Sequence, residues 1–182
     1  GTFDVNPNYV ESFDVKDGDG ADTPQVVTLH LNKNAVWGDG TPISVADYQA
    51  RLIAAGIAAQ PVGRAGLILD KPVPVDALPG FAEGLFSVQD WGAQQAAPLL
   101  DVADGMRVLD ACSAPGGKTA HVLELADCDL TALDSDPQRL ERVRANLDRL
   151  GLAARLQALD ARRVADRWRG EPFDRILADV PC

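Results

Sequence analysis

The sequence predicts an α/β fold: a partial Rossmann-like sheet made of the first four parallel strands, preceded by a small α+β segment. Three observations predict this fold class. Short apolar strands alternate with helices from residue 106 onward, an acidic residue stands at or near the end of each strand, and a Pro-Gly-Gly turn follows the first strand. Alternation of strands and helices is typical of a doubly wound parallel sheet, which binds ligands at the carboxyl ends of its strands.

The strands and helices of this sheet have recognisable limits. The four predicted strands are Met106–Cys112, Leu130–Asp134, Leu156–Asp160 and Phe173–Val180. A helix is expected from Lys118 to about Leu125. The next helix has the clearest limits, because Asp136 and Pro137 supply N-cap and first-turn chemistry and Gly151 supplies a C-terminal stop.

The N-terminal part of the chain differs in composition from the rest. Residues 1–50 hold two Lys, no Arg and eight acidic residues, whereas residues 51–182 hold 13 Arg. A strand is expected over Gln25–Leu31, and a helix near Val45 with Ser44 as its N-cap. The predicted domains are a β-rich segment over residues 1–46, a small α+β subdomain over 47–88 and the start of the parallel-sheet domain over 89–182.

Composition excludes several classes of protein. The 182-residue chain is 46% hydrophobic and contains no apolar run of membrane-spanning length, so no membrane association is expected. The chain has three cysteines, without CxxC spacing, and two histidines, which fit neither a disulfide scaffold nor a metal site. The low number of cysteines favours a reducing, cytoplasmic location. The acidic turn Asp17–Asp22 lacks the ligand spacing of a calcium loop. A net charge of −10 repels phosphate backbones, so any contact with nucleic acid requires a local pocket.

Acidic side chains mark the carboxyl ends of all four predicted strands. They are Asp110, Asp134, Asp160 and Asp179. Because these ends meet at one edge of a parallel sheet, the four carboxylates are expected to line a ligand site. For any one of them alone, a helix cap or a turn residue is an equally good interpretation.

The turn after the first strand matches known phosphate-binding motifs only in part. Gly117-Lys118-Thr119 ends like a P-loop, but the glycine required five positions before Gly117 is Cys112, and a GxGxxG fingerprint is absent. Asp134 follows Gly116 by 18 residues, the usual interval to a carboxylate that accepts both hydroxyls of a ribose. A nucleoside cofactor without a pyrophosphate is therefore expected. S-adenosylmethionine fits, because its carboxylate suits an amide-rich turn and its sulfonium tolerates nearby acids.

Three segments carry a specific resemblance to a known family. They are Val108–Thr119 (VLDACSAPGGKT), Thr131–Asp134 (TALD) and Phe173–Cys182 (FDRILADVPC). Together they resemble the bacterial Sun (Fmu) family of 16S ribosomal RNA cytosine-C5 methyltransferases, over about residues 47–182. The resemblance implies an S-adenosylmethionine-dependent enzyme whose full-length form acts on ribosomal RNA.

The resemblance also implies roles for individual residues. Asp134 would bind the ribose, Asp160 would lie beside the adenine amino group, and Asp179 would lie near the methyl-donor end and the target cytosine. The other cofactor contacts would be the loop residues Cys112, Ser113, Ala114, Pro115, Gly116, Gly117 and Lys118. Leu159 replaces a glycine of the family, which leaves open whether the adenine side is crowded, and Ser113 replaces an alanine.

The resemblance divides the expected chemistry between two cysteines. Carbon 5 of cytosine becomes nucleophilic once a cysteine thiolate adds to C6. The pair Pro181-Cys182 resembles the family's product-release motif, so Cys182 and Asp179 are the predicted catalytic residues. The family's attacking cysteine follows a fifth strand, which these 182 residues do not include. We therefore expect weak cofactor binding without RNA methylation, and self-association through the open edge of the fourth strand.

A shorter resemblance concerns the N-terminal residues. Pro7–Ser12, the strand Val26–Leu31 and the run Ala35–Ile43 resemble an early segment of the peptide-binding proteins of ABC importers. Two alternatives to an enzyme therefore stay open. One is a fragment of a peptide- or solute-binding protein, and the other is an inactive chimera joined near residue 45.

Overall fold

The protein is described by a computed structural model that covers residues 28–31, 36, 40–62, 66–90, 92–168 and 170–180. The chain divides into two compact units, residues 1–91 and residues 92–182. Each unit contains a four-stranded sheet of its own.

The first unit is an antiparallel sheet with one α-helix among its described residues. Its elements are β1 (Thr28–Leu31), α1 (Val45–Ala54), β2 (Ala59–Val62), β3 (Gly66–Leu69) and β4 (Phe86–Val88). The strand order is β2-β3-β1-β4, so β1 pairs with both β3 and β4. The strand predicted over Gln25–Leu31 is confirmed for Thr28–Leu31, and residues 25–27 lie outside the described residues. The predicted boundary between residues 46 and 47 falls inside this unit, and the three-part division stays a prediction.

Helix α1 begins at Val45, as predicted, because Ser44 forms a capping box. Ser44 Oγ accepts a hydrogen bond from the backbone N–H of Asp47 at 3.1 Å, and the Ser44 N–H donates to Asp47 Oδ2 at 2.9 Å. On the inner face, Tyr48 is completely buried against Phe86, with ring centroids 5.0 Å apart. The α+β character predicted for this part of the chain is therefore confirmed.

The second unit contains the predicted parallel sheet. Its elements are α2 (Ala96–Leu100), β5 (Arg107–Asp110), α3 (Gly117–Leu125), β6 (Asp129–Asp134), α4 (Pro137–Leu150), β7 (Arg155–Ala158), α5 (Val164–Arg167) and β8 (Arg175–Leu177). All neighbouring strands are parallel, in the order β7-β6-β5-β8. The winding direction therefore reverses between β5 and β8, which is the switch point where such sheets bind ligands. Strands β7 and β8 end at Ala158 and Leu177, earlier than predicted. Asp160 and Asp179 therefore lie in the loops that follow these strands.

Helix α4 has the limits that its sequence predicts. Asp136 Oδ1 accepts a hydrogen bond from the Gln138 N–H at 2.8 Å, Pro137 occupies the first helical position, and Gly151 ends the helix with φ 69°. The buried face of α4 consists of Leu140, Val143, Leu147 and Leu150. A separate cluster, on the side of the sheet that α5 covers, joins Leu109, Ala111 and Leu133 to Leu159, Val164 and Phe173. The sheet is thus covered on both faces, as in other doubly wound folds.

Within the described residues, every helix is too short or too polar to traverse a lipid bilayer. The same residues bring together no group of three or more potential metal ligands. The acidic turn Asp17–Asp22 lies outside the described residues.

Candidate active site

The four predicted acids lie along one edge of the parallel sheet. Asp110 and Asp134 are the last residues of β5 and β6, and Asp160 and Asp179 each follow the end of their strand by two residues. The Leu159 N–H donates to the Asp134 carbonyl at 2.9 Å, which ties the chain after β7 to the end of β6. The strand order therefore gives the spatial order Asp160, Asp134, Asp110, Asp179.

The loop between β5 and α3 bends tightly at this edge. The Ser113 N–H donates to the Leu133 carbonyl at 2.8 Å, and the Gly116 N–H donates to the Ser113 carbonyl at 2.6 Å. Gly116 has φ +105°, and a Cβ at this position would approach Val143 Cγ1 to 3.0 Å and Val143 Cα to 3.1 Å. Because one of these atoms is backbone, only glycine fits here. The loop is consequently held beside the end of β6 and directly against α4.

Arg139 joins the loop to the carboxylate at the end of β6. The Asp134 carboxylate is only 4% exposed; its Oδ1 accepts from the Asp136 N–H at 2.9 Å and its Oδ2 is 3.7 Å from Arg139 Nη1. Arg139 Nη2 donates to the Ala114 carbonyl at 3.2 Å. Sequence reasoning missed Arg139. Its position in the first turn of α4 was the available signal, since long helical side chains lean toward the N-terminus of their helix.

A buried pair anchors the base of the same loop. Asp110 is 1% exposed, and its Oδ2 accepts a hydrogen bond from Thr119 Oγ1 at 2.7 Å. Burial raises the pKa of Asp110 to about 6, against the opposing effect of the Thr119 hydrogen bond. Thr119 was not among the predicted site residues, although its place three residues after Gly116 puts it in the first turn of α3.

An ion pair spans the switch point between β5 and β8. Lys118 Nζ donates to Asp179 Oδ2 at 2.5 Å, and the two side chains are 23% and 55% exposed, respectively. Lys118 lies at the start of α3, so the pair connects the loop after β5 to the chain after β8. Asp179 is thereby held in a fixed position with one side open to solvent.

Cys112 lies among three of the carboxylates. Burial is the main cause that raises the pKa of its thiol, and Asp134, Asp110 and Asp179 raise it further. The thiol is therefore protonated at neutral pH. Because the thiolate is the nucleophilic form of cysteine, Cys112 is suited to contact a ligand and is not suited to attack one. Pro181 and Cys182 lie outside the described residues, so the predicted role of Cys182 stays a prediction.

The carboxylate of Asp160 accepts hydrogen bonds from the turn that directly follows it. Asp160 Oδ1 caps the short turn Ala161–Arg163, and hydrogen bonds from Arg162 lower the pKa of Asp160 to about 2. Leu159 packs into the buried cluster around Leu109 and Leu133, so its side chain is directed into the core. Sequence reasoning did not foresee the contact with Arg162.

The fold of this chain is similar to that of solved methyltransferases. A methyltransferase homologue from Pyrococcus horikoshii superposes with a TM-score of 0.72 at 30% sequence identity, covering 88% of this chain and 52% of that one. NSun6 from the same organism, solved with SFG, superposes with a TM-score of 0.58 at 31% identity, covering 65% of this chain and 33% of that one.

Within that class, residues 97–182 match the family of 16S rRNA methyltransferase RsmB/F. The ribosomal RNA small subunit methyltransferase B of Pseudomonas syringae is 57% identical over 119 residues, which are 64% of this chain and 27% of that protein. The chain thus spans about a third or less of the curated relatives that it matches. These matches support the resemblance to the Sun family.

The second resemblance, to peptide-binding proteins, finds no support. The match to the Pyrococcus methyltransferase homologue covers 88% of the chain, a larger share than residues 47–182 alone would supply. Strand β1 pairs within the same sheet as β3 and β4. The described part of residues 1–46 is therefore continuous with the fold that follows it, and Pro7–Ser12 lies outside the described residues.

Proposed function

We propose that this chain is the cofactor-binding portion of an enzyme that methylates carbon 5 of a cytosine in 16S ribosomal RNA, using S-adenosylmethionine. The observation that carries the proposal is the junction of the loop after β5 with the carboxylate that ends β6. Arg139 contacts both the Ala114 carbonyl and Asp134, and Ser113 is hydrogen bonded to Leu133. The match of residues 97–182 to 16S rRNA methyltransferases supports the same proposal.

The residues of this edge suit the parts of the proposed cofactor. The Asp134 carboxylate would accept the ribose hydroxyls, since it is fixed by two neighbours and both its oxygens keep further lone pairs. The backbone N–H groups of Ala114 and Gly117, in the loop that leads into α3, would face the carboxylate of the amino-acid end. Pro115 has no N–H, and those of Ser113 and Gly116 donate to carbonyl groups within the protein. Asp160, next along the edge, would accept the adenine amino group. When bound, the cofactor supplies an electrophilic methyl group on its sulfonium.

Asp179 is the residue proposed to face the target base. Lys118 occupies Asp179 Oδ2, and the described residues give the other oxygen, Oδ1, no partner. We assign Asp179 Oδ1 to hydrogen bonding with the cytosine, and Lys118 to holding the carboxylate in place. Cys182, three residues further on, keeps the product-release role that the family resemblance implies.

Ribosomal RNA is the proposed macromolecular substrate, which would place the protein in the cytoplasm. With a net charge of −10, the chain gains little from general attraction to phosphates. Binding of the RNA would therefore depend on contacts to an unstacked base at the edge of the sheet rather than on charge over the surface.

Replacing Asp134 tests this proposal. We expect Asp134→Asn to weaken S-adenosylhomocysteine binding by about tenfold or more, because hydrogen bonds to a charged acceptor are lost while the side-chain volume is kept. The affinity is measured by isothermal titration calorimetry. Asp148→Asn makes the same chemical change on the exposed face of α4 and should bind normally. Equal affinities for Asp134→Asn and the unaltered protein would show that the ribose site is assigned incorrectly.

A further inference from the structure

Arg162 surrounds the carboxylate to which the proposed function assigns the adenine amino group. Asp160 Oδ1 accepts from the Arg162 backbone N–H at 2.9 Å and from Nε at 3.1 Å. Asp160 Oδ2 accepts from Nε at 3.1 Å and from Nη2 at 2.6 Å. An ionised carboxylate offers about four lone-pair sites. Three N–H groups of Arg162 make these four contacts, because the single Nε–H is shared between the two oxygens. Both oxygens of Asp160 are thus already occupied when an amino group arrives.

The place of Asp160 on the sheet makes this contact relevant to the cofactor. Strand β7 lies beside β6, and the Leu159 N–H is hydrogen bonded to the Asp134 carbonyl at 2.9 Å. Asp160 is therefore the next carboxylate after the proposed ribose ligand. A nucleoside with its ribose at Asp134 and its amino-acid end at the loop after β5 would extend its base toward Asp160.

We propose that Arg162 gates the adenine end of the site: its guanidinium occupies Asp160 in the free protein and turns away when a 6-amino group binds. This inference rests on the proposed function and deepens it. The Arg162 side chain is 89% exposed, and among the described residues its guanidinium contacts only Asp160. Nothing else in the described structure holds the guanidinium, so it is free to swing into solvent.

The backbone part of the contact would stay when the side chain leaves. The Arg162 N–H belongs to the turn Ala161–Arg163, which Asp160 caps, so the carboxylate keeps its orientation. Only the guanidinium contacts compete with the ligand. Exposed ion pairs contribute little free energy, so we expect the gate to weaken binding by a small factor, about two- to fivefold.

The test compares two variants and two probes by calorimetry. Arg162→Ala is expected to bind S-adenosylhomocysteine about two- to fivefold more tightly than the unaltered protein. The gain should be absent for the 6-deamino analogue, in which purine riboside replaces adenosine, because that analogue has no amino group to donate. Arg163→Ala is the matched control: it removes the same charge from the neighbouring exposed position, and within the described structure Arg163 acts on Asp160 through its charge alone, without a hydrogen bond or an ion pair.

Arg162→Lys provides a second variant that keeps the charge. A lysine cannot form the two-pronged contact with the carboxylate, so its affinity should lie between those of the unaltered protein and Arg162→Ala. The inference is wrong if Arg162→Ala binds S-adenosylhomocysteine no more tightly, if both probes gain equally, or if Arg163→Ala has the same effect. In each of these cases the unaltered protein still binds the cofactor and the proposed function stands. Failure of the unaltered protein to bind either probe would overturn the proposed function itself.

Discussion

Asp110 and Asp160 stand at the same edge of the parallel sheet, yet their surroundings move their pKa values in opposite directions. Burial raises the pKa of Asp110 to about 6, whereas hydrogen bonds from Arg162 lower that of Asp160 to about 2. In mildly acidic solution one carboxyl is therefore partly protonated and the other is ionised. The two carboxyl groups also differ in burial: Asp110 lies beneath the loop, and Asp160 lies at the surface.

The raised pKa of Asp110 predicts a pH dependence of stability. The ordinary pKa is 3.8, so the protonated carboxyl stabilises the folded state fully below that pH, and the contribution is lost as the pH rises through about 6. Asp110→Asn keeps the acceptor for Thr119 but cannot ionise. Relative to this variant, the unaltered protein should lose up to about 3 kcal/mol of unfolding free energy between about pH 4 and about pH 7.

Urea unfolding of both proteins at the two pH values measures this difference. Asp148→Asn, an exposed position on α4, serves as the control and should follow the unaltered protein at both pH values. A gap between the unaltered protein and Asp110→Asn that does not change with pH would contradict the argument.

At the scale of elements, helix α4 holds the loop after β5, the proposed cofactor loop, in its position. Its first turn supplies Arg139, which contacts Ala114, and its buried face supplies Val143, which lies against Gly116. The start and end of α4 follow from Asp136-Pro137 and Gly151, which act on their own neighbours in the chain. The contacts with the loop do not follow from the sequence, because they join residues about 25 positions apart. The helix was thus predictable and its effect on the site was not.

Gly116→Ala tests the close approach of the loop and α4. We expect it to destabilise the fold by about 1–3 kcal/mol and to weaken S-adenosylhomocysteine binding, because the added Cβ meets the Val143 backbone at a positive φ. Thermal unfolding and calorimetry measure the two effects. Gly151→Ala separates the effect of backbone strain from that of steric crowding. Gly151 also has a positive φ, +69°, but nothing lies within 4 Å of the position that a Cβ would take there. Unchanged binding by Gly116→Ala would mean that the loop accommodates the methyl group without changing the site.

At the scale of the whole molecule, strand β8 lies at an edge of the parallel sheet. It pairs with β5 on one side, and the described residues supply no strand on the other. Ile176 in the middle of β8 is 56% exposed. An edge strand with an exposed apolar side chain is prone to pair with another chain. Self-association through this edge is therefore our proposal for the protein in solution.

Ile176→Lys tests the edge. The protein should show a molar mass that rises with concentration in light scattering, and a lysine on the edge strand should reduce this rise, because charged side chains block strand pairing. Leu125→Lys places the same charge at the end of α3, where Leu125 is 42% exposed, and should leave the association unchanged. A strictly monomeric protein at high concentration would exclude the proposal.

The sequence by itself determined the parts of this protein that depend on neighbours in the chain. The cap of α1 at Ser44, the limits of α4, the turn at Gly116 and the acids at the strand ends were all predicted, since each follows from a few consecutive residues. Only the tertiary structure decided the strand order, the pairing of β1 with β3 and β4, and the contacts made by Arg139 and Thr119. Those features depend on which distant segments meet and on how deeply they are buried, and local patterns of residues carry no such information.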